Sequence, residues 1–165
     1  LLSPKEVWQV AAFVRTLGRV PKEKGQGNAA NGKALVRGKG GCLQCHSFGT
    51  EGGQLGPPLG EIGARRSAKH LRAKLLSPES NVPEHFRMVE VTTRGGRRIS
   101  GVRLNEDTWT LQIRDGSHRF HSFEKKDLTA LKVERRTIMP SYRERLTARE
   151  VDDVVAYLSG LRSEP

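Results

Sequence analysis

The feature that most constrains this 165-residue chain is the pentapeptide Cys42-Leu43-Gln44-Cys45-His46. Its 2 cysteines are all the chain has, and they sit too close together for an ordinary structural disulfide. Two thiols at this spacing can each add to a vinyl group of one haem, while the next residue places an imidazole against the iron. One short segment then supplies two covalent bonds and one axial ligand. The alternatives are half of a zinc site or a redox dithiol. Zinc requires more ligands, and among His70, His85, His118 and His121 only His118 and His121 have ligand-like spacing. A Cys42, Cys45, His118 and His121 set leaves His46 without a role.

Length suits one domain built around one core. A hydrophobic content of 35% with 8 prolines and 18 glycines describes a globular chain with many turns. No apolar run is long enough to cross a bilayer, so no transmembrane segment is expected. Leu1 in place of Met, without a leader pattern, reads as a processed end or an excised piece of a larger protein. The net charge of +11 calls for an anionic partner: nucleic acid, an anionic lipid surface or an acidic protein patch. Nucleic acid is set aside, because the basic residues are dispersed, aromatic content is 5% and no recognition motif stands out.

Helical signals lie at both ends. From Ser3 to Leu17 a cap at Ser3, Pro4 in the first turn, Glu6 completing a capping box, and Val7, Val10, Ala11, Val14 and Leu17 on one face predict a helix that exits at Gly18. Leu146-Thr147-Ala148-Arg149-Glu150-Val151 repeats the logic of Leu2-Ser3-Pro4-Lys5-Glu6-Val7, with Val154, Tyr157, Leu158 and Leu161 continuing the face. If the second copy closes a domain over 25–165, then 1–24 reads as the tail of a preceding domain of the same kind, joined by Pro21 to Gly27. Further helices are predicted over Ala29 to Arg37, capped by Asn28, and over Ser67 to Leu76, stopped by Ser77-Pro78.

Between about 86 and 136 the texture changes. Phe86 to Thr93, Arg98 to Leu104, Thr108 to Arg114 and Ser117 to Phe123 are β-prone runs separated by turn residues. They predict an antiparallel meander with a last strand near Leu131 to Arg135.

Three further features follow the pentapeptide in order: Gly56-Pro57-Pro58-Leu59, then Met139-Pro140, then a closing helix with an aromatic residue at Tyr157. With them the chain resembles the class I c-type cytochromes, in the form found at the C-terminal ends of large bacterial periplasmic proteins. The resemblance covers most of residues 25 to 162. It implies a mainly α cytochrome c fold with an inserted small antiparallel β-sheet, α+β overall. It also implies one haem c held through Cys42 and Cys45, with His46 and Met139 as axial ligands, and Leu59 beside the group. The Pro57 carbonyl is expected to accept the proton of the His46 ring nitrogen that faces away from iron. Met139 is preferred to Met88, which a strand-like run explains. Arg65, Arg66, Trp109 and Tyr142 are candidate partners for a haem propionate. Gly32 is expected where the first helix of the domain crosses Tyr157 and Leu158, while Val36 stands where the family commonly has an aromatic.

Filled axial positions imply single-electron transfer between redox donor and acceptor proteins rather than catalysis, although the domain can belong to a larger oxidoreductase. Lys33, Arg37 and Lys39 would form a basic rim that steers an acidic redox partner. The alternative is a haem enzyme or gas sensor with an open or labile sixth position, where a residue such as His85 or His121 acts. Attachment of this kind implies the bacterial periplasm or another exported location.

Overall fold

The computed structural model describes residues 2–16 and 26–162. Its first organising element is a pair of crossed helices, α2 (Ala29–Arg37) and α5 (Ala148–Gly160). The Asn28 side chain caps α2 by accepting from the Ala30 and Asn31 N–H groups. A full capping box starts α5, with Thr147 and Glu150 each bonded to the other's backbone. Both devices satisfy donors that the first helical turn leaves unpaired.

The helices meet at Gly32, where an added methyl group would overlap the Asp153 carbonyl and lie 2.9 Å from Tyr157 Cβ. Backbone contact this close is available only to glycine. Asp153 itself is 3% exposed, and its carboxylate accepts from the Asn28 N–H at 2.6 Å and from Asn31 Nδ2 at 2.7 Å. The crossing expected against Tyr157 and Leu158 therefore centres on Asp153 and Tyr157. Val36 is fully buried.

Two shorter helices, α3 (Ile62–Arg65) and α4 (Ala68–Leu76), pack on α5. Ser67 caps α4 through the His70 N–H, and Ser77-Pro78 ends it. Leu35, Val36, Leu71, Leu75, Val151, Val154 and Leu158 fill the space between these helices, together with Cys42 and Tyr142.

The insertion forms a five-stranded antiparallel sheet with its own core. After the two-residue strands β1 (Ser47–Phe48) and β2 (Glu51–Gly52) come β3 (Met88–Thr93), β4 (Arg98–Glu106), β5 (Thr110–Asp115), β6 (Phe120–Glu124) and β7 (Leu128–Val133). Alternation places Val89, Val91, Ile99, Leu111 and Ile113 in a second apolar cluster. The expectation of one core is thus corrected: a sheet cannot bury its apolar face in a helical cluster already filled by α4 and α5. The meander is also corrected at its end. The sheet order is β6-β5-β4-β3-β7, so the last strand returns to the opposite edge, pairing Val91 with Leu131.

Five helices and this sheet make the described chain α+β. Helix α1 (Pro4–Thr16) carries the same box as α5, Ser3 with Glu6, and the same length of 13 residues, but buries no side chain. Its expected end at Leu17 and Gly18, and the linker residues 21–25, lie outside the described residues. No helix among the described residues is long and apolar enough to cross a membrane.

Bonds from Asn31 and the Asn28 N–H hold the Asp153 carboxyl below the usual carboxylate range. A lowered native pKa contributes stability above the unfolded value of about 3.9, and that contribution is lost as pH falls through the native value. We expect Asp153→Asn to lower Tm at neutral pH and the gap from the parent protein to close in acid. A gap that stays constant across thermal melts at decreasing pH would contradict this account.

Candidate cofactor site

The cysteine motif follows α2 after three glycine-containing steps. Gly41 adopts φ +61°, a left-handed conformation that turns the chain into a 3₁₀ turn over Cys42–Gln44. Cys42 is buried and Cys45 half-buried. Tyr142, 4% exposed, donates its hydroxyl to the Gly40 carbonyl at 2.7 Å and lies 3.8 Å from Cys42 Sγ. Its backbone N–H donates to Leu75 at 2.9 Å, so Tyr142 joins the motif to the end of α4.

His46 is held by the segment that follows. Its Nδ1 lies 2.7 Å from the Pro57 carbonyl oxygen. A carbonyl only accepts, so Nδ1 carries the proton and Nε2 keeps a free electron pair. Burial, only partly opposed by the Pro57 bond, holds the imidazole below its ordinary pKa and so favours the neutral ring. Gly56 lies flat against the ring: a methyl group there would be 2.6 Å from Cε1 and 2.7 Å from Nδ1. The Leu55 and Gly56 N–H groups donate to the Cys45 carbonyl at 3.0 and 2.8 Å, fixing that loop to the motif.

The two thiols are not activated. Burial raises the pKa of Cys42, partly offset by the Tyr142 hydroxyl, and burial also raises that of Cys45. A redox dithiol needs a thiolate held at low pKa, so this environment disfavours that alternative. The zinc set does not gather either: among the described residues no three His, Cys, Asp or Glu side chains group as metal ligands. His121 is instead bonded to Asp115 at 2.7 Å.

Leu59 is buried in the helical cluster with Cys42, and Met139 packs against that cluster. Met139 also lines a cleft of about 460 Å³ between Leu76–Glu79 and Thr137–Ser141. Met88 sits in β3, opposite Val102. The propionate candidates divide. Tyr142 lies at the motif, whereas Trp109 stands 77% exposed at the β4–β5 turn, outside the helical cluster. Arg65 is exposed and pairs with Glu61, and Arg66 bonds the Arg65 carbonyl. His85 lies tilted against Phe86, with 4.3 Å between ring centres. Of the three rim cations, Arg37 pairs with Glu51 at 2.5 Å and Lys39 with Glu150 at 2.7 Å.

One connection was not visible in the sequence. The β5–β6 end of the sheet is fastened to the motif's loop: Arg114 donates to Gln54 at 2.6 Å, and a methyl group at Gly53 would lie 3.0 Å from His118 Cε1. On its other side a methyl group at Gly116 would lie 3.8 Å from Ile138, next to Met139. The positive φ of His118, +64°, shapes that turn; Asp115-Gly116 signalled a turn, but nothing signalled what it touches.

No family model matches the chain, and no curated protein matches it. Among solved structures it is similar to SoxXA from P. pantotrophus, with TM-score 0.42, 21% identity, and coverage of 88% of this chain and 91% of that one. It is also similar to a chain in the Dcp1:Dcp2 mRNA decapping complex with Edc3 and Scd6, with TM-score 0.29 and 25% identity. That second match covers 39% of this chain and spans about half, 54%, of the other. Neither likeness assigns the chain to a family.

Gly56 is the loop position at which an added methyl group would strike the His46 ring itself. We expect Gly56→Ala to push the His46 ring away from Pro57, read by NMR as loss of the protected Nδ1–H. An unchanged imidazole signal would mean that the loop yields instead of the ring.

Proposed function

We propose that this chain carries one haem c, attached through Cys42 and Cys45 with His46 as an axial ligand, and passes single electrons between redox proteins. The observation that carries this reading is the His46–Pro57 bond. It orients a neutral imidazole directly after a pair of unactivated thiols and leaves the Nε2 electron pair for a metal. The residues present fit the group: Cys42 and Leu59 give one apolar wall, Gly56 lets the ring lie close, and Tyr142 fixes the turn that carries the first thiol.

When bound, the haem supplies a one-electron ferric–ferrous couple. The chain's own part is to hold the imidazole in one tautomer, to exclude water with the helical cluster, and to offer a second ligand. We assign that second ligand to Met139, the methionine that packs on the cluster containing Cys42. A thioether opposite histidine raises the potential of such a couple. Thioether attachment of this type also places the protein outside the cytoplasm, in keeping with the resemblance to exported cytochromes.

The open cleft beside Met139 favours one other reading, a haem enzyme or gas sensor with a labile sixth position. Visible spectra of protein matured with covalent haem separate the two. We expect a low-spin spectrum with the weak far-red methionine–ferric band. In Met139→Ala the band should disappear and the potential should fall. A high-spin spectrum in the unmodified protein would replace electron transfer by the enzyme or sensor, and a band that survives the substitution would move the ligand to Met88.

A further inference from the structure

The net charge of +11 is not spent at the cysteine motif. Arg37 and Lys39, two of its three flanking cations, are each paired with a glutamate. A different concentration of positive charge lies on the inserted sheet. Arg97 and Arg98 at the start of β4, and Arg119 and His121 beyond the β5–β6 turn, line a pocket of about 280 Å³. Only one carboxylate, Asp115, lines it with them.

That carboxylate is already committed. Asp115 accepts from His121 at 2.7 Å and from the Ser117 and Arg119 N–H groups at 2.9 and 3.0 Å, and it pairs with Arg119 at 3.4 Å. The His121 bond first, then these backbone donors, hold its pKa down to about 2, so it stays charged and occupied. Glu90, on the neighbouring strand, bonds Ser100 of the pocket wall at 3.5 Å. Arg97 and Arg98 form no ion pair among the described residues.

We propose that this pocket docks carboxylate side chains of an acidic protein partner, with Arg97 and Arg98 as the principal recognition groups. Guanidinium groups suit planar, two-oxygen acceptors. No Phe, Tyr or Trp side chain lines the pocket, so the broad stacking surface expected of a single-stranded nucleic-acid site is missing. The position matters as well. One wall is the β5–β6 turn, whose His118 ring lies close against Gly53, seven residues after His46, and whose Gly116 lies near Ile138. A partner held here is seated beside the cofactor loop by the insertion, not by the basic rim.

The proposal does not depend on the haem, and its test works on the full chain with or without covalent maturation. Hexaglutamate is titrated into the protein by calorimetry at several salt concentrations, with Arg97→Ala/Arg98→Ala compared with Lys33→Ala/Lys39→Ala. We expect the arginine variant to bind about fivefold to tenfold more weakly, with a flatter salt dependence, as befits two exposed charge contacts. The lysine variant should bind nearly as the parent does. Both arginines are exposed, and an unchanged Tm checks that the variant folds. The proposal is overturned if hexaglutamate does not bind, if the lysine variant loses as much as the arginine variant, or if inorganic phosphate competes as well as the peptide. Tighter binding of oligothymidylate than of hexaglutamate would likewise overturn it, in favour of nucleic acid.

Discussion

The structure depends on the crossing of α2 and α5, and the crossing depends on Asp153. A carboxylate on the buried face of a helix carries a desolvation cost that must be met by hydrogen bonds. Here Asn28 and Asn31 meet it, and both belong to the first turn of the opposite helix. The same contact therefore fixes where α2 starts as well as how the helices cross. Because Cys42 follows α2 by only a few residues, the starting point of α2 sets the position of the motif. Gly32 completes the arrangement by letting the two backbones approach.

From that crossing the site is assembled by backbone bonds more than by side chains. The Cys45 carbonyl accepts two N–H groups from the Leu55–Gly56 loop, the Pro57 carbonyl accepts the His46 ring, and the Gly40 carbonyl accepts Tyr142. Each link ties a different stretch of chain to the pentapeptide. The inserted sheet joins the same assembly through one turn, although it has a core of its own. Arg114 spans that junction, one end bonded to Gln54 while its Nε is buried without a partner among the described residues.

Much of this was legible from local chemistry. Asn28 and Thr147 cap helices where their side chains and spacing said they would, Ser67 stands where a helix was expected to begin, and the turn residues separated the strands of the sheet. Local signals failed where the decisive contact was distant. Nothing near Leu128 says that β7 will leave the meander and pair with β3, because both edges of the sheet offer the same backbone groups. Nothing near Asp153 distinguishes it from Asp152, its neighbour, which is paired with Arg72 at a half-exposed position. Trp109 was a candidate partner for a haem propionate, but it stands exposed at the tight Asp107 turn, whose carboxylate accepts from the Trp109 and Thr110 N–H groups. At the candidate site the pentapeptide and the Gly-Pro loop were readable, since their meaning is carried by residue type and order. The tie between Tyr142 and Gly40 was not, because the two are 102 positions apart.

The placement of charge follows from the same division into two cores. Cations on the helical part have acidic neighbours within reach: Glu51 for Arg37, Glu150 for Lys39 and Asp152 for Arg72. The outer end of the sheet has fewer, because Asp115 is consumed in building the β5–β6 turn itself. A turn that needs its carboxylate for Ser117 and Arg119 N–H groups cannot also neutralise Arg97 and Arg98. The unpaired positive charge is thus a by-product of how the turn is made, and it sits on the outer side of the same turn that grips Gly53. Fold construction and charge exposure are two consequences of one carboxylate's bonds.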